Sequence, residues 1–274
     1  MNLFFAGLLI VGVASVAITA MLLVRRRAPA GSWFVDGDRA AGVFGVIATG
    51  FAVMLGFVIF LAFESYDTSR SGAEAEAQVV AQQLQTSELF PAPVRRPLAN
   101  ALVCYARDVA YTEWPKMRSG QGGNLINPWS VVMFRSLQTV EPRTAAEQAA
   151  YSKWLDQSTD RQSARSDRTH GAEGVIPAPL WIVLFLSAGI IFVFMLFFAD
   201  PEEHVLVQAT MMGGVAVMIT SMLLLLWFLD NPYHPGVGGL PPTAMKRTLA
   251  ILDQQAKIVG ITIGDACDAN GIAR

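Results

Sequence analysis

The chain has little of what chemistry usually needs. Its 274 residues include two cysteines, Cys104 and Cys267, and three isolated histidines, His170, His204 and His234. No CxxC and no Cys/His cluster at metal-ligand spacing occurs, so thiolate metal binding is not expected. GxSxG, HExxH and P-loop motifs are also missing, and neither a catalytic residue nor a cofactor is expected. A net charge of −2 supplies no basic field for nucleic acid. The long apolar runs carry no acidic, basic or histidine residue between their ends, where an intramembrane protease or proton-coupled transporter needs one.

Apolar residues are what the chain has in excess. Hydrophobic residues make up 53% of it, high for a soluble protein. Four runs are long enough to cross a hydrocarbon core of about 30 Å at about 1.5 Å per residue: 2–24, 40–63, 180–199 and 205–229. The first is followed, not preceded, by Arg25-Arg26-Arg27, the reverse of a secretory signal's charge order, so it reads as a retained span. By the positive-inside rule the triplet and Arg39 lie in the cytoplasm, and the large segment between the second and third spans lies outside. Arg161, Arg165 and Arg168, close to a span on the other side, run against that rule.

The expected fold is an all-α integral membrane protein with four transmembrane helices in a 2+2 arrangement. A first hairpin occupies 1–63, a helical extramembrane domain 64–177, a second hairpin 178–229 and an extramembrane tail with a helix 230–274. The second span flows without a break into polar sequence, where Ala73, Ala77, Val80 and Leu84 keep helical 4-3-4 spacing, so one long helix leaves the membrane. A second helix presents Leu98, Leu102, Tyr105 and Val109 and stops near Glu113-Trp114-Pro115. A Gly/Ser-rich loop follows over 118–124. Asn127-Pro128 starts a third helix with Trp129, Val132, Met133, Leu137 and Val140 on its core face. Thr144 to Glu147 has the form of a capping box and opens a fourth through Tyr151, Trp154 and Leu155. Residues 156–174 show no apolar periodicity and read as a mobile hydrophilic segment.

The second span carries Gly42, Gly45, Gly50 and Gly56 beside several phenylalanines. Such a helix packs against neighbouring spans or lines the axis of an oligomer. In the second case Phe51, Phe57 and Phe60 are candidates for an apolar constriction, and Glu64, Asp67, Glu74 and Glu76 for acidic rings at its mouth. Cys104 and Cys267 fall on one side of the membrane in any four-span arrangement. They form a disulfide if that side is oxidising, or remain two unrelated buried thiols.

Several of these features together resemble the bestrophin-like family of bacterial membrane proteins. They are the 2+2 spans, Phe63 with Tyr66, Glu76-Ala77, Leu89-Phe90-Pro91, Tyr105 with Val109, Glu113-Trp114-Pro115, and Asp230-Asn231-Pro232-Tyr233 closing the last span. The resemblance covers residues from about 40 to 250 and is more distant to the bestrophins, pentameric anion channels. It implies a homo-oligomer, pentameric by preference, that conducts inorganic ions across a bacterial inner membrane. It also implies functional weight on Glu76, Tyr105, Glu113, Trp114, Asp230, Asn231 and Pro232. Two features differ from the bestrophin pattern. One is the path along the second span, whose phenylalanines do not reproduce the bestrophin neck and whose acidic mouth does not suit anions; the other is the arginine triplet, which puts the large domain outside where bestrophins keep theirs in the cytoplasm. The alternative is a non-conducting envelope scaffold or sensor that binds a partner through its helical domain. The lipid bilayer is a partner in either case.

Overall fold

The computed structural model describes residues 3–29, 33–121, 126–259 and 263–274. Among these the chain is helical, with one isolated bridge between Cys267 and Ala273. It divides into two compact units: residues 1–64, 175–230 and 235–238, and residues 65–174, 231–234 and 239–274.

The first unit holds the apolar helices α1 (Leu3–Arg25), α7 (Ala178–Phe197) and α8 (Val205–Asp230), with the first part of α2 (Gly37–Ser87). All four helices are long and apolar enough to cross a membrane, and the protein is an all-α integral membrane protein. The start expected at residue 2 lies outside the described residues. α1 packs on α8, where Gly213 lets Ile18 approach: a Cβ on that glycine would sit 3.0 Å from Ile18 Cδ1. The core of the unit is Leu55, Val58 and Ala62 of α2 against Leu184, Ala188 and Ile191 of α7 and Ile219 and Leu226 of α8. Asp230, at the end of α8, accepts hydrogen bonds from the backbone N–H groups of Val175 (2.7 Å) and Ile176 (2.9 Å). Its partners therefore lie 54 and 55 residues away, not in the local turn that an Asp-Asn-Pro helix stop suggests.

The second unit is built on the later part of α2, with Ala73, Ala77, Val80 and Leu84 buried as their spacing requires. α3 (Ala92–Arg107) buries Leu98, Leu102 and Tyr105. The helix does not stop at Glu113-Trp114-Pro115. It widens into a π-helical segment, Asp108–Glu113, and continues as α4 (Trp114–Arg118). Pro115 sits in the first turn after the widening, where a missing N–H costs little. Of the loop expected next, residues 122–124 lie outside the described residues. α5 (Pro128–Gln138) starts at Asn127, whose side chain accepts from Trp129 N–H, and buries Trp129, Met133 and Leu137, while Val132 stays partly exposed. The tail helix α9 (Thr243–Val259) closes the core with Met245, Leu249 and Leu252.

α6 (Ala145–His170) overturns the reading of 156–174 as a mobile segment. It opens with the expected capping box, Thr144 and Glu147, and runs unbroken for 26 residues. Its buried face is Ala150, Trp154, Gln157, Arg161, Ala164, Arg165 and Arg168, a continuous helical stripe that changes from apolar to polar side chains half-way. A pattern scored only on apolar residues loses that stripe after Trp154.

Candidate functional site

Along α2 the expected site residues separate by helical spacing. Phe57, Phe60 and Glu64 follow at intervals of three and four, one face of a 3.6-residue helix. Phe57 and Phe60 keep 63% and 61% of their surface exposed, and Glu64 is exposed beside them. In the second unit Asp67 and Glu74 lie at the same register and are also exposed. Phe51 and Glu76 do not join them. Phe51 falls on the opposite face, in register with Leu55, Val58 and Ala62, and is 7% exposed within the span core. Glu76 falls on the buried face of the second unit and has no exposed surface. Neither faces solvent in the single chain. A carboxylate on the buried stripe of a helix needs a cationic partner, and Glu76 has one.

Glu76 is one member of a buried charge network inside the second unit. Its carboxylate accepts from Tyr105 Oη, from Arg168 Nε, and from Arg168 Nη2 at 3.3 Å. Arg168, without exposed surface, also donates from Nη2 to Glu113 Oε2 at 2.7 Å. Arg165 grips both oxygens of Glu113 from Nη1, at 2.8 and 2.7 Å. Asn127, the cap of α5, donates to Glu113 Oε1 at 3.1 Å. Arg161 lies over the Tyr105 ring, 4.7 Å from its centroid, and donates to Gln83 Oε1 at 2.9 Å. Arg168 reaches this position because α2 and α6 touch at Gly72, where a Cβ would come within 2.5 Å of Arg168 N. Trp114 packs edge-on against Tyr233, whose hydroxyl donates to the Arg168 carbonyl, and its indole N–H donates to Leu240 O at 2.9 Å.

The charges shift one another as their positions require. Burial alone would raise the Glu113 carboxyl, but the Arg168 and Arg165 guanidiniums hold it below the usual carboxylate range. Burial would lower Arg168, and Glu76 and Glu113 raise it instead. Arg161, with no carboxylate this close, is lowered by burial. Tyr105 is raised, first by burial and then by Glu76, so its hydroxyl stays a donor. Asp108 on the π-helical segment is pushed up to about 6, by burial first and by Glu113 second.

This last shift gives a pH dependence with a definite sign. An aspartate titrates near 3.9 when unfolded, so between about 4 and 6 the folded state binds more protons at Asp108. That contribution to stability therefore falls as pH rises through the window, and the full penalty is present above it. Asp108→Asn is expected to raise the melting temperature at pH 7.5, leave it unchanged near pH 4 and remove this part of the slope between. Melting curves across that range check it, and an unchanged slope would sink the assignment.

The structure brings together Glu76, Tyr105, Glu113 and Trp114, which the family resemblance singled out, with Arg161, Arg165 and Arg168, which sequence reasoning did not name as their partners. The signal was present as basic residues at i, i+4 and i+7. Cys104 and Cys267 are joined in a disulfide in the structure, with Cα atoms 5.8 Å apart.

A family model described as a bestrophin-like domain matches residues 8–238. The chain belongs to the bestrophin-like family. Solved structures agree in fold with this bestrophin-like chain. A crystal structure of a bacterial bestrophin homologue from Klebsiella pneumoniae, phased on zinc, matches at 14% identity and a TM-score of 0.67, covering 95% of this chain and 100% of the other. A point variant of the Klebsiella homologue matches at 13% identity and a TM-score of 0.65, with 95% and 100% covered. A structure described only as a membrane protein variant matches at 14% identity and 0.65, with 91% and 97% covered. No curated protein sequence matches the chain.

Proposed function

We propose that this protein is the protomer of a homo-oligomeric ion channel in a bacterial inner membrane, with its second span lining the axis. One observation carries the reading: α2 presents Phe57, Phe60 and Glu64 as one exposed stripe that the protomer itself leaves uncovered. The span glycines support it. A Cβ at Gly42, Gly45, Gly50 or Gly56 would meet nothing within 4 Å in the protomer, so that side is open to a neighbouring copy. The family resemblance favours a pentamer. It also implies anion conduction, whereas Glu64, Asp67 and Glu74 would attract cations at the mouth, and in this reading they set the selectivity.

For orientation we place the helical domain, residues 64–177, on the oxidising outer face. Disulfides persist in such compartments, and the buried ion pairs account for Arg165 and Arg168 on that side without a topological role. Recordings in planar bilayers under a salt gradient test the channel. Phe57→Ala and Phe60→Ala are expected to raise conductance or open probability, because apolar constrictions close by dewetting. Glu64→Gln with Asp67→Asn is expected to move the reversal potential toward anions, since charges within about 8 Å of passing ions are felt at physiological salt. Monomers alone in nanodisc mass measurements, or currents indifferent to all four changes, would remove the reading.

A further inference from the structure

One end of the first unit holds a cavity of about 370 Å³, within the ~300–1,000 Å³ of small-molecule sites. Its walls are Met21, Phe44, Met195, Phe198, Met211 and Met212. All of these lie where α1 and α7 end and α2 and α8 begin, so the cavity sits at one end of the spans, where apolar helix gives way to loop. Among the described residues two polar side chains line it, Glu203 and Gln208, and they are bonded to each other. Gln208 Nε2 donates to Glu203 Oε2 at 2.8 Å, and Arg25 Nη1 donates to Gln208 Oε1 at 2.9 Å.

A buried water needs two to four polar partners, and away from Glu203 and Gln208 the described thioethers and rings of the wall supply none. Hydrocarbon fits it. Methionine side chains, unbranched and polarizable, adapt to an irregular apolar guest. In a bilayer the hydrocarbon always at hand is an acyl chain of the adjoining leaflet. The polar end then selects the headgroup, and it carries both signs. Arg25 donates to the Pro201 and Glu203 carbonyls, and Arg26 and Arg27 follow it. Asp200, Glu202 and Glu203 stand in the facing loop. A purely anionic headgroup would meet three carboxylates, whereas a zwitterionic one offers phosphate to arginine and ammonium to carboxylate. A primary ammonium brings three N–H donors, as lysine does, and a quaternary one brings none.

We propose that the cavity is a lipid site. It takes one acyl chain of a phosphatidylethanolamine-type phospholipid, with the phosphate on the arginine side and the ammonium on the Glu202–Glu203 side. The site stands apart from ion conduction and is tested without it.

Purified protein would be reconstituted with equal parts of ethanolamine, choline and glycerol phospholipids and examined by native mass spectrometry. Ala41, which also lines the cavity, would in parallel carry a photoreactive diazirine. The expected result is preferential retention of the ethanolamine lipid, a phospholipid adduct at position 41, and loss of the retained lipid in Ala41→Trp. Glu202→Gln with Glu203→Gln should keep a bound lipid but lose the preference for ethanolamine. Equal retention of all three lipids would overturn the headgroup assignment. Adducts only to a second copy of the chain, showing the cavity to be an interface void, would overturn the site. Should Ala41→Trp fail to fold, the adduct and the glutamine pair still decide.

Discussion

Arg168→Met is expected to destabilise the second unit by about 3–5 kcal/mol, the range for removing one partner of a buried ion pair. The methionine roughly fills the space, so the loss is electrostatic. Glu76 and Glu113 have almost no exposed surface, and without Arg168 the first keeps Arg165 only at 3.9 Å. Arg168→Lys should rescue little. One ammonium cannot reproduce the planar fork that reaches Glu76 from Nε and Glu113 from Nη2. Replacing Glu76, Glu113, Arg161, Arg165 and Arg168 together with apolar residues of similar volume should cost less than Arg168→Met alone, because no charge is then stranded. Thermal melts and limited proteolysis in detergent would read these differences. A loss for Arg168→Met within about 0.5 kcal/mol, the level of a surface substitution, would show that the network carries no such energy.

Cys104→Ser with Cys267→Ser is expected to cost about 4–5 kcal/mol, the chain-entropy value for a loop longer than 100 residues; the sequence separation here is 163. The pinned segment is the tail, which lies tightly over α3 and the π-helical segment. Arg107 donates to Gly264 O (3.0 Å), Gly264 N to Asn100 Oδ1 (2.7 Å), Thr112 to Asn270 O (2.8 Å) and Trp129 Nε1 to Gly271 O (2.7 Å). Gly264 and Gly271 have φ of +82° and +83°, and a Cβ on Gly271 would come within 2.3 Å of Asp108 N. These contacts should survive in the double variant. The lost pin should therefore appear as a lower melting temperature and faster hydrogen exchange over 263–274, with the spans intact. A reductant should do the same to the parent protein and nothing further to the variant. Two freely alkylated thiols in protein taken from intact cells would count against both the bridge and the outer placement of the domain.

Residue spacing made much of the second unit legible. Leu98, Leu102 and Tyr105 are buried, Asn127-Pro128 and Thr144 to Glu147 open helices, and Ala73 to Leu84 face the core, because an amphipathic helix needs only its own period to show which side is inside. Reading α2 by residue chemistry was less successful. Grouping four acidic residues as one mouth ignored that Glu64, Asp67 and Glu74 share a face while Glu76 lies on the opposite one, and the same period separates Phe51 from Phe57 and Phe60.

By itself the sequence determined the four apolar spans, their 2+2 order, the long second helix and the family, since span length, helical period and motif spacing are local properties of the chain. The tertiary structure alone decided which charges are buried and with what partners. Arg168 lies 92 residues from Glu76 and 55 from Glu113, and nothing local distinguishes a guanidinium bound for the core from one bound for water. That distinction depends on Gly72 letting α6 close against α2, and on Glu76 and Glu113 reaching the same place from separate helical segments.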